Sequence, residues 1–410
     1  MTQWIEPDDL PGLLRPGSRV YLGGSSNEPL ALIDAIRRRP DCARDVTFVQ
    51  QPLAINPFDF STLHETATQE SYFITPALAN SEGVRFIPMQ MRAIFDHLAR
   101  SRMDIALLRA ARDRHGDIRF GPNVDYLDAA LSAASCVVVE VSDAVVAPLG
   151  APLVDTHRIN YLVQSSSPLL TYPEPVPDQV SDAIGAHIAS IIRDGDCLQT
   201  GIGSVPAAML AKLGDRNDLG FHGGLIDDGV MALVKAGNLN GSRKPFDQGR
   251  HITGMALGTE FLHAWLAETD SVVFRSADYT HDYSVISRIP NFVSVNSAVQ
   301  VDLDGQVNAE VVGGRQISGT GGSVDFMRAA RASIGGRSIV ALSSTARGGS
   351  ISRIVPRVEM ATALRTDVDL IVTEYGVAAL ADATLAERKE RLINIAHPDF
   401  RDQLRNPTPA

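Results

Sequence analysis

The sequence predicts an α/β protein made of two similar, open, doubly wound domains, and three observations carry that expectation. A strand feeding a glycine-rich turn and then a helix occurs at residues 13–30 and again at 191–206, and this unit is the one from which parallel sheets are built. Arg15/Arg193, Gly17/Gly195, Gly23/Gly201 and Ser26/Ser204 keep one offset between the two copies, and Pro29/Pro206 match after a one-residue slip. Between the copies, residues 171–178 hold three prolines in eight positions, a density that stops helix and ladder alike and marks a linker. The expected domains are therefore 1–177 and 178–410. A chain of 410 residues has room for both, since single cores stop growing near roughly 250–300 residues.

The first copy opens with turn, strand and Gly-rich turn, then a helix over Leu30–Arg38. Strand-like apolar runs follow at residues 46–50, 84–88, 105–108 and 136–141, with helical periodicity between them, as at 90–101. The run at 137–141 is echoed by 371–375, which supports two copies of one design. In the second copy, residues 219–230 read LGFHGGLIDDGV: a short buried strand, a Gly-Gly turn, and a helix beginning near Asp228. Glycine at positions 223 and 224 suits positive φ and close approach of a ligand. Asp227 or Asp228 is expected to cap the helix. Farther on, 306–317 reads as strand and turn, and a helix starts near Val324.

Two such sheets packed together leave a cleft at the strand C-terminal ends, the usual ligand position in open α/β sheets. The rim of the second copy would comprise residues 201–204, 222–228, 295–297, 318–323 and 343–353, which are rich in glycine and small hydroxyls. The chemistry is expected there.

Composition narrows the partners. A formal charge of −11 argues against nucleic acid or an anionic membrane, because both need clustered positive charge. Phosphorylated small ligands need only a few cations, and with four lysines in the chain these would be arginines. Arg315, Arg328, Arg347 and Arg353 lie on or beside glycine-rich turns and are the candidates. Cys42, Cys136 and Cys197 are odd in number and lack any C-x-x-C spacing, which points to reduced thiols and a cytoplasmic protein, with neither a disulfide framework nor a zinc site. Cys136 and Cys197 sit in apolar runs and read as buried core thiols. The first residues are acidic where a secretory signal is basic, and no stretch approaches the roughly 18–20 apolar residues that span a bilayer.

Residues 319–322, Gly-Thr-Gly-Gly, lie just before a helix, where successive N–H groups can bind an anion or a developing oxyanion. Residues 302–306, DLDGQ, fit a hairpin turn better than a calcium loop, since the remaining ligands are missing. No histidine pair has metal-binding spacing, His397 reads as a loop residue and His115 as part of a turn. Neither a G-x-S-x-G elbow nor a Walker-type loop is present.

Taken together, LQTGIGSVP (198–206), SVNSAVQVDLDGQV (294–307), SGTGG (318–322), GSISRIV (349–355), VTEYGV (372–377) and IAHPDF (395–400) resemble the acetyl-CoA hydrolase/transferase family. Within it the likeness is greatest to the 4-hydroxybutyrate CoA-transferase branch and runs nearly the whole length, including NEP at 27–29. The resemblance implies two domains of the CoA-transferase fold, with coenzyme A or acyl-CoA as substrate in the cleft between them; no metal is expected, and the protein is expected to be a cytoplasmic homo-oligomer. It also implies that Asn296, Gly319, Thr320, Gly321, Gly322, Arg347, Ser350 and Arg353 serve the CoA and its thioester.

In that family a glutamate in a His-x-Glu-x-x-Ser-Asp-Gly stretch attacks the thioester, which splits an exchange between two acids into two comparable steps. The matching stretch here runs from His222 to Gly229 and holds Gly224 at the glutamate position. Asp227 displaces the family's serine and Asp228 matches its aspartate. The resemblance thus implies that acyl-CoA binding persists while covalent exchange is lost, with a hole beside the thioester large enough for water or a second substrate. Attack by a carboxylate, water or another bound nucleophile would follow, with Asp227, or Glu28 from the facing domain, as base. Ordinary CoA transfer through another carboxylate and a silent acyl-CoA-binding protein are the alternatives.

Overall fold

The computed structural model describes residues 2–406, and the chain divides into two units. One contains the residues up to 173 together with 252–280, and the other contains 174–251 with those from 281 on. The first boundary falls inside the proline-rich stretch. The second differs from a single cut at 177/178, because residues 252–280 return to the first unit. Backbone hydrogen bonds hold them there: Val124 N–H to the Gly254 carbonyl (2.9 Å), Ala256 N–H to Pro122 (2.8 Å), Phe274 N–H to Gly150 (3.0 Å) and Ala277 N–H to Asp125 (2.7 Å). A Cβ on Gly150 would overlap the Val272 carbonyl, so glycine there is what lets the returning segment lie against the chain. Long-range pairing of this kind leaves no local trace in the sequence.

The first unit carries a nine-stranded sheet. Its strands are β1 (Gln3–Ile5), β2 (Arg19–Leu22), β3 (Thr47–Gln50), β4 (Thr68–Ser71), β5 (Val84–Phe86), β6 (Met103–Arg112), β7 (Ile118–Phe120), β8 (Ala134–Val146) and β9 (Tyr161–Ser165). They lie in the order β1-β9-β8-β6-β2-β3-β4-β5, with β7 antiparallel on β6 and the rest parallel. The helix Leu30–Arg38 follows β2 and buries Leu32, Ile33, Ala35 and Ile36. The central strands read as nearly unbroken apolar runs, as expected where both faces are covered; Ala106, Leu107, Val138 and Val139 have no exposure.

The second unit carries a six-stranded sheet of β10 (Cys197–Gln199), β11 (Gly220–Phe221), β12 (Phe292–Ser297), β13 (Arg337–Ala341), β14 (Leu370–Thr373) and β15 (Gly376–Ala379). Their order is β11-β10-β12-β13-β14-β15, with only β15 antiparallel. Both sheets therefore reverse direction beside the first strand of the repeated motif, between β2 and β6 in one and between β10 and β12 in the other. The echo between 137–141 and 371–375 does not match in position. β8 lies next to the reversal strand β6, whereas β13 separates β14 from β12, so the likeness reflects only the apolar demands of buried parallel strands.

Among the described residues no helix is long and apolar enough to cross a membrane. The three cysteines are free; Cys197 is buried, but Cys136, expected in the core, is only partly so.

Candidate active site

The crevice outside the carboxyl ends of parallel strands, where the strand order reverses, is the ligand position of an open sheet. In the second unit Asn296, near the end of β12, donates from Nδ2 to Gln199 Oε1 at the end of β10 (3.2 Å) and so spans the reversal. His222 follows β11 directly, is fully buried, and continues the ladder through its N–H to the Leu198 carbonyl (3.1 Å). Gly223 and Gly224 come next, then a short strand Leu225–Ile226 and the helix Asp228–Ala236.

Neither glycine takes a positive φ, contrary to the turn conformation expected of them. Crowding explains them instead. A Cβ at 223 would sit 3.1 Å from the Phe221 ring, and one at 224 would sit 2.8 Å from both Cε1 and Nε2 of His281. The space expected as a hole beside Gly224 is therefore occupied by an imidazole. His281 is buried, and that burial, with the charge of nearby His222 second, pushes its pKa down to about 3 and keeps the ring neutral.

Asp227 is the cap of the helix Asp228–Ala236, with Oδ1 accepting from Val230 N–H (3.0 Å), and Gly237 closes the helix in the left-handed conformation. Burial pushes the Asp227 carboxyl up to about 6, against the opposing hydrogen bond from Val230. A carboxyl in that range can hold or release a proton near neutral pH.

The loop 317–322 leads into the helix Ser323–Ala332, capped by Gly322. The first-turn N–H groups of a helix have no carbonyl of their own to bind and carry the positive end of its dipole. Gly321 takes φ +57°, and Ser323 Oγ donates to the Thr320 carbonyl (2.9 Å). Gly319 lies in the same loop, which is tied to a buried carboxylate: Glu310 Oε1 accepts from Thr320 Oγ1 and from Gln316 Nε2, each at 3.3 Å. Gly322 also meets His281, because a Cβ there would overlap the ring. His281 thus joins the 222–224 loop to the 319–322 loop.

Arg347, Ser350 and Arg353 form a separate group. Arg347 and Ser350 lie in the exposed loop between the strands Thr345–Ala346 and Ile351–Ser352, where Ser350 Oγ donates to the Arg347 carbonyl (2.9 Å). Arg353 ties this hairpin to the unit through its N–H to the Ser344 carbonyl (2.8 Å). Beside it lies a hollow of about 370 Å³ lined by Ser350, Ile351, Ile354, Val355, Phe400 and Leu404, among others. Of the other two candidate arginines, Arg328 is committed to Asp367 (3.3 Å) and Arg315 stands exposed on a short strand. His397 lies in the short connection before the last helix, as expected, and its Nδ1 accepts from Asp399 N–H (3.3 Å), so it caps that helix.

Glu28 belongs to the first unit, beside the reversal between β2 and β6. It is buried, Gln50 Nε2 donates to its Oε1 (2.8 Å), and burial raises its pKa. Asn27 Nδ2 donates to the carbonyls of Arg109 (3.1 Å) and Asn123 (3.2 Å) and so locks the loop.

The sequence did not single out His281, Glu310, Gln199 or Glu374, which accepts from Ser344 N–H (2.8 Å) and Oγ (2.6 Å). Glu310 carried a signal in Asn308, whose Oδ1 accepts from Glu310 and Val311 N–H groups, an Asn-turn pattern. His281 carried none. Among the described residues no group of three or more His, Cys, Asp or Glu is arranged to hold a metal ion.

Comparison with known proteins gives these loops a context. The N-terminal domain of the acetyl-CoA hydrolase/transferase family matches residues 2–157, and its C-terminal domain matches 258–408. A 4-hydroxybutyrate coenzyme A transferase of Clostridium kluyveri is 37% identical over 95% of this chain and 93% of its own. RipA from Yersinia pestis superposes with a TM-score of 0.90 at 30% identity, covering 98% of this chain and 96% of that one. A 4-hydroxybutyrate CoA-transferase from Porphyromonas gingivalis does so with a TM-score of 0.83 at 30% identity, with the same coverage. The chain belongs to the acetyl-CoA hydrolase/transferase family.

Proposed function

We propose that this protein is an acyl-CoA-dependent enzyme in which the thioester is attacked directly, as acyl transfer or hydrolysis, with no CoA adduct at position 224. One observation carries the proposal: residue 224, which the sequence places where the family's reactive glutamate belongs, is a glycine whose side-chain space is filled by the His281 ring. The 319–322 amides and the start of the following helix stabilise the oxyanion that forms when the thioester carbonyl is attacked. Arg347, Ser350 and Arg353 hold the CoA phosphates, and Asn296 sits at the strand reversal beside the substrate. Asp227, with its raised pKa, takes the proton from the attacking water or acceptor, and Glu28 is the alternative base. The three free thiols suit a reducing, cytoplasmic setting. A homo-oligomer is the expected assembly.

A second reading, ordinary CoA transfer between carboxylic acids through another carboxylate, is favoured by the names of the relatives, which are CoA transferases. Release of free CoA thiol from a panel of acyl-CoA esters, with and without added carboxylates, tests the first reading against the second. Direct attack predicts release of CoA as the free thiol, whereas exchange passes the CoA to the added carboxylate as a new acyl-CoA and releases no thiol.

The same assay tests Asp227. Its carboxylate must be ionised to act as base, so kcat/KM should rise through about pH 6 and level off above it. Asp227→Asn should abolish that limb and lower kcat by about 100-fold or more, while its side chain still caps the helix. Asp227→Ala should cost about 1 kcal/mol of stability in addition. An unchanged pH profile in Asp227→Asn would move the role of base elsewhere, with Glu28→Gln as the next variant to measure.

A further inference from the structure

We propose that His281 sets the size of the acyl group this site accepts, because its ring fills the space between Gly224 and Gly322. The inference rests on the acyl-CoA reading above, which puts the thioester at the 319–322 loop. Backbone conformation does not explain glycine at either position, since Gly322 has φ −94° and Gly224 is not among the residues with positive φ. Sterics do. A Cβ at 224 would lie 2.8 Å from Nε2 and Cε1 of His281, and one at 322 would overlap Nε2 and Cδ2. Real Cβ atoms do not approach ring atoms that closely, so two loops far apart in sequence give up their side chains to one imidazole.

The ring is backed by aromatic packing. Phe326 lies with its ring centre 4.6 Å from that of His281, tilted by 46°, and itself stacks on Phe292 at 6.4 Å. Phe326 and Phe292 belong to a buried cluster with Cys197, Ile286, Ile289, Ala329 and Ala330. Phe326 also borders both glycines, 3.7 Å from a Cβ at 224 and 3.2 Å from one at 322, and close-packed interiors resist shifts of a ring held among such neighbours. His281 is therefore a fixed wall. Burial keeps the ring uncharged near neutral pH, and an uncharged, aromatic-backed wall suits the hydrocarbon of a short acyl chain better than a second carboxylate.

The test compares kcat and KM of the wild type, His281→Ala and His281→Asn over acetyl-, butyryl-, hexanoyl- and octanoyl-CoA. In His281→Ala the ratio of kcat/KM for octanoyl-CoA to that for acetyl-CoA should rise by about 10-fold or more, the scale on which pocket size discriminates chain length. His281→Asn retains more of the volume and should raise it less. A uniform loss across the series, with the ratio unchanged, overturns the size-setting role. If His281→Ala does not fold, an unchanged ratio in His281→Asn overturns it equally. Calorimetric titration of the wild type with CoA and butyryl-CoA separates the two levels: absence of both binding and turnover overturns the acyl-CoA reading and this proposal with it, whereas binding and turnover with flat ratios overturn only the role of His281.

Discussion

Gly224→Glu, made alone, is expected to destabilise the protein and to form no CoA adduct. The new Cβ would sit 2.8 Å from two atoms of the His281 ring and 3.7 Å from Phe326, in a closely packed part of the second unit. Overpacking a well-filled site costs about 1–3 kcal/mol, and the carboxylate brings its own desolvation cost to a buried position. Combining it with His281→Ala removes the obstructing ring and should recover most of the lost stability. The double variant is the one expected to acquire carboxylate-dependent CoA transfer. The measurements are thermal unfolding of the two single variants and the double, and mass spectrometry of each after incubation with acyl-CoA. Additive losses of stability would mean that residues 224 and 281 are not in contact.

Asp125 gives the second large effect, on stability against pH. It lies in the first unit with 2% exposure, and burial alone pushes its carboxyl up to about 8. An unfolded aspartate titrates near about 4. Below that pH both states are protonated and the group contributes nothing. Between about 4 and 8 the unfolded chain ionises while the folded one stays protonated, so stability falls as pH rises, and the full loss of a few kcal/mol persists above 8. Asp125→Asn removes this titration. The melting temperature of Asp125→Asn relative to wild type should therefore increase from pH 5 to about pH 8 and level off above it, and parallel curves would show that Asp125 ionises in the folded state without penalty.

Much of the fold was legible because its signals are local. The helix Leu30–Arg38 has its expected limits, and the one after Asp227 starts where the Asp-Asp-Gly sequence says. Strands 105–108 and 136–141 proved longer, at Met103–Arg112 and Ala134–Val146, because parallel strands continue as far as their neighbours pair with them. The return of residues 252–280 to the first unit was not legible, since it rests on backbone bonds to residues more than a hundred positions away. In the site, the loops could be read from glycine content, but the reason for the glycines could not. A Gly-Gly pair looks the same in sequence whether it serves a positive φ or a neighbouring ring, and His281 stands in a stretch with no motif of its own.

Attack on the thioester without a CoA-bound enzyme intermediate can be tested by trapping. Wild-type protein is mixed with acyl-CoA, with and without a carboxylate acceptor, then denatured, treated with hydroxylamine, and analysed by peptide mass spectrometry while free thiol is followed in parallel. Direct attack predicts thiol release with no peptide carrying CoA and no hydroxamate at any glutamate or aspartate. A CoA thioester on an enzyme carboxylate, formed at the rate of turnover, would contradict it.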